Sequence, residues 1–303
     1  MARIELTMAN SSRGPSVGIV TVAYRSNRVL GGFLASIPAA VTGPAPVVVV
    51  DNAPGSDADA SRLAASHGAA YVPMPANPGY GGAVNAGVAA LPDEVDWVLI
   101  SNPDVVLAPG AIDALLQHAA SDPAIGAAGP AVLNPDGSVY PSARAVPSLR
   151  TGVGHALFVN LWQRNPWTLA YRRESDPSDE SRDAGWLSGS CLLVRRSAFD
   201  EIGGFDDGYF MYFEDVDLGY RLGKAGYRNV YQPAARVTHV GAHSTGGESA
   251  RMVQAHHQSA RRFLSKKYAG WWLWPVRLTL RVALNLRSRA ITRRLRRDGT
   301  APL

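Results

Sequence analysis

The chain has 303 residues, of which 46% are hydrophobic and 18% charged, which suits one large α/β domain with an appendage or two small domains. Its single cysteine, Cys191, excludes an internal disulfide and a thiolate zinc cluster. We expect no signal peptide, because the N-terminal residues lack a long apolar stretch. We also expect no simple membrane-spanning helix, because no run of about 18 apolar residues occurs.

The net charge of +5 is concentrated near the C-terminus. Residues 271–297 contain eight arginines and no acidic residue, and the rest of the chain is slightly acidic. The basic charge is therefore a local feature of this segment and not a property of the whole surface.

The first 120 residues alternate between strand and helix patterns. Strands are predicted at 17–24, 47–50, 70–73 and 96–101, with helices at 29–36, 56–67 and 111–120. A further helix is predicted to open from the loop 77–82 and to run to about residue 90. Short spacing between alternating elements predicts a mostly parallel, doubly wound sheet. Such sheets bind ligands at the carboxyl ends of their strands, where Asp51, Asn52, Asn102 and Asp104 lie.

The second half of the chain has a different pattern. Strands are predicted at 127–133, 186–194 and 228–237, with a connection at 140–167 and a polar loop at 174–183 between them. After about residue 256 the chain becomes helical, aromatic and basic.

The tripeptide Asn102-Pro103-Asp104 ends a buried strand. A carboxylate in this position can hold Mg²⁺ or Mn²⁺ against the phosphates of a nucleotide diphosphate. Asn-Pro-Asp is also good turn chemistry, so these residues alone fit either interpretation.

Three acids, Glu214, Asp215 and Asp217, crowd the start of a predicted helix within 209–226. The helix dipole explains one or two of them. The aromatic residues just before the acids suit a sugar with apolar faces, and they are Tyr209, Phe210, Tyr212 and Phe213. A carboxylate beside them can serve as a general base toward an acceptor hydroxyl.

Three further segments each have two interpretations. The glycine-rich stretch 77–85 opens a helix and so favours phosphate, but it lacks a P-loop signature, and a packing loop explains it as well. His239 and His243 have a spacing compatible with metal binding or with ordinary surface histidines. Residues 186–191 combine a tryptophan with a small polar turn, and we interpret Cys191 as a buried apolar residue.

Taken in order, these motifs resemble the inverting glycosyltransferase family with the GT-A fold, family 2. The resemblance covers roughly residues 16–245, and the ordered set is specific although each part is not. It consists of Asp51-Asn52, residues 77–81, Asn102-Pro103-Asp104, residues 186–190, residues 203–206, residues 213–217 and His239. It implies an α/β fold, with a Rossmann-like, mostly parallel sheet flanked by helices, and a helical basic C-terminal extension at 246–303.

Within this family, residues 140–144, 164–167, 186–199 and 209–212 resemble enzymes that move L-rhamnose from dTDP-rhamnose to N-acetylglucosaminyl-diphospho-polyprenol. That resemblance implies a dTDP-sugar donor, a polyprenyl-diphosphate-linked acceptor and a role in the arabinogalactan linker of the cell wall.

The resemblance also implies a role for each matching residue. Asp215 is the catalytic base, and Asp104 with His239 holds Mg²⁺ or Mn²⁺; Asn102 replaces the first acid of the usual metal motif. The implied donor-binding residues are Tyr24, Asp51, Asn52, Tyr80, Gly81, Asn85, Asn102, Asp104 and Arg144. The implied acceptor-binding residues are Trp186, Gly189, Ser190 and Glu214.

The basic segment begins with Trp271, Trp272 and Trp274. Tryptophan prefers the membrane interface, and arginine is attracted to anionic lipid. Nucleic-acid binding and a solvated chain end are the alternatives. We favour a peripheral position on the cytoplasmic face of the plasma membrane, without nucleic acid, because of the tryptophans and the lipid acceptor that the resemblance implies.

Three other functions remain open at this stage. A galactofuranosyl or mannosyl transferase would keep the metal site and change the donor. A nucleotidyltransferase would release pyrophosphate rather than a nucleoside diphosphate. A non-catalytic lipid- or RNA-binding protein would need only the basic segment.

Overall fold

The computed structural model describes residues 14–55, 58–148, 179–241, 250–275, 278–279 and 282. The strands are β1 (Val17–Ala23), β2 (Val47–Asp51), β3 (Ala70–Pro73), β4 (Trp97–Ser101), β5 (Val105–Leu107), β6 (Ile125–Leu133), β7 (Val139–Tyr140), β8 (Ala143–Arg144), β9 (Arg182–Ala184), β10 (Trp186–Leu187), β11 (Cys191–Arg195) and β12 (Arg228–His239). The helices are α1 (Asn27–Ala40), α2 (Ala58–Ser66), α3 (Gly79–Ala89), α4 (Ala111–Ala120), α5 (Arg196–Glu201), α6 (Glu214–Lys224) and α7 (Ala250–Lys267), followed by a 3₁₀ turn at Trp271–Leu273.

The main sheet has the strand order β3-β2-β1-β4-β11-β6-β12-β5. Its first four strands are parallel, as the alternating pattern predicted, and β12 is parallel to β6. Strand β11 is antiparallel to both neighbours, so the sheet is mixed. A separate two-stranded sheet joins β8 and β10.

Helices cover both faces of the sheet. One buried cluster joins the central strands to α1, α2 and α4, and the other joins them to α3, α5 and α6. Every residue of β1 is buried, which explains why its sequence is continuously apolar apart from Gly18 and Thr21. This layering brings the carboxyl ends of β1, β2 and β4 to one edge.

The prediction of a continuous strand at 186–194 is wrong. The residues Ser188-Gly189-Ser190 separate β10, in the small sheet, from β11, in the main sheet. The hydroxyl groups of Ser188 and Ser190 lie 3.0 Å apart within this turn. The short elements β5 and α5 were not predicted, because three and six residues are too few to show a hydrophobic periodicity.

The C-terminal helix α7 begins at Ala250, earlier than the predicted residue 256, and packs on the domain. Phe263 is fully buried and contacts the rings of Phe213 and Tyr220. The predicted start of the C-terminal extension at residue 246 lies between α6 and α7. Side chains of these two helices nevertheless pack in one buried cluster.

Residues 149–178, which include most of the predicted connection and part of the polar loop, lie outside the described residues. Residues 283–303, at the end of the basic extension, also lie outside them. In the described part of the chain, the helices are too short or too polar to cross a bilayer.

Candidate active site

The pair Asp104 and His239 lies where β5 meets the end of β12. Strand β5 follows Asp104 directly and pairs antiparallel with β12, so that His239 lies opposite Val105. The imidazole Nε2 of His239 is 3.0 Å from Oδ1 of Asp104, and each side chain is about one fifth exposed. The two residues are thus brought together from 135 positions apart and remain accessible to a ligand.

The backbone after His239 closes tightly around this pair. The N–H of Val240 donates to the carbonyl of Asp104 at 2.8 Å. A Cβ atom at Gly241 would collide with Oδ2 of Asp104, so a residue with a side chain does not fit there without displacing the carboxylate. Sequence reasoning missed Gly241; its position two residues after His239 was the available signal.

The pair fits a divalent cation chemically. Carboxylate oxygen and imidazole nitrogen are ordinary ligands for Mn²⁺, and oxygen suits Mg²⁺. Within the described ranges, three or more His, Cys, Asp or Glu side chains nowhere gather into a metal-binding group. A cation here would therefore take further ligands from a bound molecule. The other predicted histidine, His243, lies outside the described residues.

Asp215 lies in the first turn of α6. Its Oδ2 accepts the N–H of Gly189 at 3.0 Å, and its Oδ1 accepts the N–H of Val216 at 2.8 Å. Burial raises the pKa of Asp215, while these N–H groups and the charge of Arg144 oppose the rise. The carboxylate is held in one orientation by the 188–190 turn, which suits a general base.

Glu214, next to Asp215, is buried, and its Oε2 has no hydrogen-bond partner among the described residues. Burial, and secondarily the charge of Asp215, raise the pKa of Glu214 to about 8. Near neutral pH this carboxyl is therefore mostly protonated, with a hydroxyl to donate.

The two residues before Glu214 adopt the left-handed conformation without being glycine. Tyr212 has a φ of 67° and Phe213 a φ of 66°. Such strain persists only where the surroundings impose it, and it concentrates at functional sites. The ring of Phe213 is held between His256 and Phe263 of α7.

The predicted aromatic set has mixed roles. Tyr209 is buried, and its hydroxyl donates to Asp217 at 3.3 Å. Phe213 is a packing residue, whereas Phe210 is 52% exposed. Of these, Phe210 has the exposure that a sugar or lipid contact needs.

The glycine-rich segment is largely a packing loop, which was one of its two interpretations. A Cβ atom at Gly79 would collide with the backbone of Phe210, and one at Gly81 would meet Phe205. The side chain of Asn85 bonds to the backbone of Phe205 and to Asp207. These contacts give Gly81 and Asn85 structural roles, and their donor contacts stay predictions.

Tyr80 does reach the site. Its hydroxyl donates to the carbonyl of Gly189 at 2.7 Å. Burial, followed by the charges of Glu214 and Asp215, raises its pKa well above the ordinary value. Tyr80 therefore stays protonated and supports the turn that holds Asp215.

Arg144 and Trp186 face each other across the small sheet. The guanidinium of Arg144 lies 5.8 Å from the Trp186 ring and 5.6 Å from the Tyr140 ring. The indole N–H of Trp186 donates to Ala145 at 3.0 Å. The Arg144 guanidinium, near Asp215, therefore lies against two aromatic rings, an arrangement that can bind an anionic or sugar ligand.

The ends of β1 and β2 form the remaining part of this edge. Asp51 is fully buried, and its oxygens accept the Tyr71 hydroxyl at 2.7 Å and the Ala53 N–H at 2.9 Å. Asn52 donates to the carbonyl of Gly79, and within the described part of the chain its Oδ1 has no partner. Tyr24 is 52% exposed. The sequence did not reveal Tyr71, which approaches Asp51 only through strand pairing.

Among the other predicted residues, the backbone N–H of Asn102 donates to the carbonyl of Ser190 at 2.9 Å. This bond joins the strand end that carries Asp104 to the turn that carries Gly189. Cys191 is buried, as predicted, and burial raises the pKa of its thiol to about 12.

Comparison with known proteins identifies the class. Residues 15–262 match the model of "Glycosyltransferase like family 2", and the chain belongs to this family. The fold resembles that of a mannosyltransferase from Pyrobaculum calidifontis solved with GDP-Man and Mn²⁺ (TM-score 0.53, 16% identity, 92% of this chain and 79% of that one). It also resembles GalNAc-T7 solved with UDP, GalNAc and Mn²⁺ (TM-score 0.54, 17% identity, 76% and 44%). The fold is of the GT-A type, as the resemblance implied.

Among glycosyltransferases, two similar proteins transfer rhamnose. The N-acetylglucosaminyl-diphospho-decaprenol L-rhamnosyltransferase of Mycobacterium tuberculosis is 50% identical over 285 residues, which cover 91% of this chain and 92% of the relative. A rhamnosyltransferase of Escherichia coli is 42% identical over 95 residues, 31% of this chain and 35% of that protein.

Proposed function

We propose that this chain transfers L-rhamnose from dTDP-rhamnose to N-acetylglucosaminyl-diphospho-polyprenol with inversion, in the synthesis of the arabinogalactan linker. The observation that carries the proposal is the 50% identity, along nearly the whole of both chains, to the Mycobacterium tuberculosis rhamnosyltransferase. The site is consistent with this reaction, because one turn bonds to both parts of it. Gly189 donates to the buried carboxylate of Asp215, and Ser190 accepts from Asn102, two positions before the accessible Asp104–His239 pair.

The donor would occupy the carboxyl edge of the sheet. Asp51 and Asn52 lie where the thymine base would bind, and the unpartnered Oδ1 of Asn52 can accept an N–H from a base. Asp104 and His239 would hold Mg²⁺ or Mn²⁺. When bound, the cation would neutralise charge on the departing diphosphate. With one carboxylate in the pair, we expect weak metal binding until the donor supplies its own phosphate oxygens.

Asp215 would act as the general base. The acceptor hydroxyl loses its proton to the carboxylate and attacks the anomeric carbon, and the bond from that carbon to the dTDP oxygen breaks. The N–H groups of Gly189 and Val216 keep the carboxylate in position during the transfer. Glu214, Trp186 and Ser190 would line the acceptor side, and Arg144 the donor side.

The domain at 16–245 would carry the chemistry, and the segment at 246–303 would place the enzyme on the cytoplasmic face of the plasma membrane as a peripheral protein. The exposed Trp271, Trp272 and Trp274 support this position. We propose no nucleic-acid partner.

The test measures rhamnosyl transfer from labelled dTDP-rhamnose to the lipid-linked acceptor. Asp215→Asn should lower kcat by ~10²–10⁴-fold, because general-base catalysis contributes that much. Asp200→Asn, which changes an exposed carboxylate 55% accessible to solvent, should remain within twofold of the unchanged protein. Melting curves confirm that both variants fold.

Further arms of the same assay separate the alternatives. A chelator should abolish turnover, and Mn²⁺ or Mg²⁺ should restore it. UDP-galactofuranose or GDP-mannose as the better donor would replace the rhamnosyl assignment, and release of pyrophosphate would indicate a nucleotidyltransferase. Full activity of folded Asp215→Asn would remove Asp215 as the base.

A further inference from the structure

A continuous groove runs along the exposed side of α7. One section of about 470 Å³ begins at Gly208 and Phe210, and a second section of about 600 Å³ extends to Lys266 and Ala269. The two sections share the lining residues Gln258, Arg261 and Arg262, so they join end to end. Each lies in the size range of small-molecule sites.

The groove follows the length of α7. From Gln254 to Lys267, the last residue of α7, the helix rises by about 20 Å at ~1.5 Å per residue. This length suits an extended chain more than a single sugar or nucleotide.

The lining carries excess positive charge. Residues 252–274 contain no acidic side chain. Arg262 and Lys266 both pair with Asp206, at 2.8 and 2.7 Å. Arg261 adds a further cation to this lining. An anionic group is therefore attracted to the middle of the groove.

One end of the groove is linked to the candidate active site. The carbonyl of Phe210 accepts the N–H of Tyr80 at 3.1 Å, and the Tyr80 hydroxyl donates to Gly189. Gly189 in turn donates to Asp215. Phe210 is also only five positions before Asp215, so a sugar extending past this end can approach the base.

The opposite end leads to the exposed tryptophans. Ala269 is followed, after Gly270, by Trp271 and Trp272, which are 79% and 65% exposed, and Trp274 is 59% exposed. Tryptophan side chains of this exposure favour the boundary between water and lipid. The groove thus connects a lipid-seeking surface to the catalytic helix.

We propose that this groove binds the polyprenyl diphosphate of the acceptor, with the diphosphate against Arg261 and Arg262 and the isoprenoid chain along α7 toward Trp271. The inference rests on the proposed function and adds the place where the lipid portion of the acceptor lies. The arginines of the groove attract an anion, and the exposed tryptophans at its far end favour lipid. Polyprenyl diphosphate has both an anionic group and a long apolar chain.

The test fills the groove with a bulky side chain. Gln258→Trp acts at the junction of the two sections, and Ser265→Trp acts farther along the chain path. The matched control is Gln117→Trp, at an exposed position of α4. Each protein is assayed with the decaprenyl acceptor in detergent and with an analogue that has the same diphospho-sugar on a very short prenyl chain.

Each groove variant should raise KM for the decaprenyl acceptor about tenfold. The KM for the short analogue should rise less for Ser265→Trp, which leaves the diphosphate position free. The kcat value and the KM for dTDP-rhamnose should stay within twofold, and Gln117→Trp should match the unchanged protein. Unchanged KM for the decaprenyl acceptor in a folded groove variant, or an equal rise for both acceptors with Ser265→Trp, would overturn the proposal.

A binding measurement separates this inference from the proposed function. Calorimetry with decaprenyl diphosphate in detergent should show binding that Ser265→Trp weakens and Gln117→Trp does not. Binding of this kind without turnover of either acceptor would contradict the rhamnosyl assignment and leave the groove assignment standing. No binding to the unchanged protein would contradict the groove assignment.

Discussion

Glu214 and Asp215 place two carboxyl groups side by side at the start of α6, in a poorly solvated position. Burial, and secondarily the charge of Asp215, raises the pKa of Glu214 from an ordinary 4.5 to about 8. A carboxyl with a raised pKa in the folded state binds its proton more tightly there than in the unfolded chain. Its stabilising contribution is therefore complete below pH 4.5 and is lost as the pH rises to about 8.

Glu214→Gln should remove this pH dependence. Relative to the unchanged protein, the variant should gain free energy of unfolding between pH 4.5 and 8, by up to a few kcal/mol, and then level off. Urea denaturation across this pH range measures the difference. Glu94→Gln, at an exposed position, is the matched control for a change from glutamate to glutamine. A Glu214→Gln difference that is flat, or that grows toward acid, would contradict the burial argument.

Among individual residues, the sequence predicted the site positions of side chains with recognisable chemistry. It did not predict the residues that affect the site through packing. Asp104 and His239 were predicted to lie together, and the structure places them 3.0 Å apart. Gly241 and Tyr71 affect the site only because strand pairing brings them to it. Asn85 has the residue type of a ligand contact, but its amide is used by a neighbouring loop.

Among the elements, the attachment of α7 to α6 was the least expected. Asp217 is fully buried and accepts hydrogen bonds from Arg221 on α6, Lys266 on α7 and the Tyr209 hydroxyl. A single carboxylate therefore joins two helices and the loop before them. Removing its charge takes this partner from Arg221, which is 20% exposed, and from Lys266, which is 36% exposed.

Asp217→Asn should lower the free energy of unfolding by about 2 kcal/mol, because the buried carboxylate loses its charge-assisted hydrogen bonds. Asp200→Asn breaks an exposed pair with Arg196 and should cost ~0.5 kcal/mol or less. Urea denaturation at neutral pH compares the two. If both substitutions cost the same small amount, Asp217 does not hold the helices together.

The elements show why some boundaries were predictable. The parallel half has strands that are buried on both faces, and their apolar runs mark them directly. The strand at 186–194 was drawn too long because Ser188 to Ser190 is short and small enough to pass for strand residues. The packing of α7 was missed because its charged face is explained equally well by solvent and by ion pairs with α6.

For the whole molecule, Trp271, Trp272 and Trp274 form an exposed aromatic surface. They come shortly after α7, whose groove leads toward the proposed general base Asp215. A membrane bound at the tryptophans therefore lies at the far end of the path proposed for the acceptor lipid.

Replacing Trp271, Trp272 and Trp274 with alanine should reduce binding to phosphatidylglycerol-containing vesicles roughly tenfold or more, since burying a large apolar side chain contributes about 1.5–3 kcal/mol. Co-sedimentation measures the binding, and turnover of the short-chain acceptor should persist as the control. Unchanged vesicle binding, or binding of RNA that competes with the vesicles, would contradict the membrane assignment.

The left-handed turn at Tyr212 and Phe213 has a consequence for biosynthesis. Its strain is opposed by ring contacts with His256 and Phe263, residues of α7 that lie more than forty positions later in the chain. Chains emerge from the ribosome with the N-terminal part first. The sheet and its first helices can therefore assemble while the turn before Glu214 and Asp215 still lacks the contacts that oppose its strain. The geometry around Glu214 and Asp215 is therefore complete only after α7 has been synthesised and has docked.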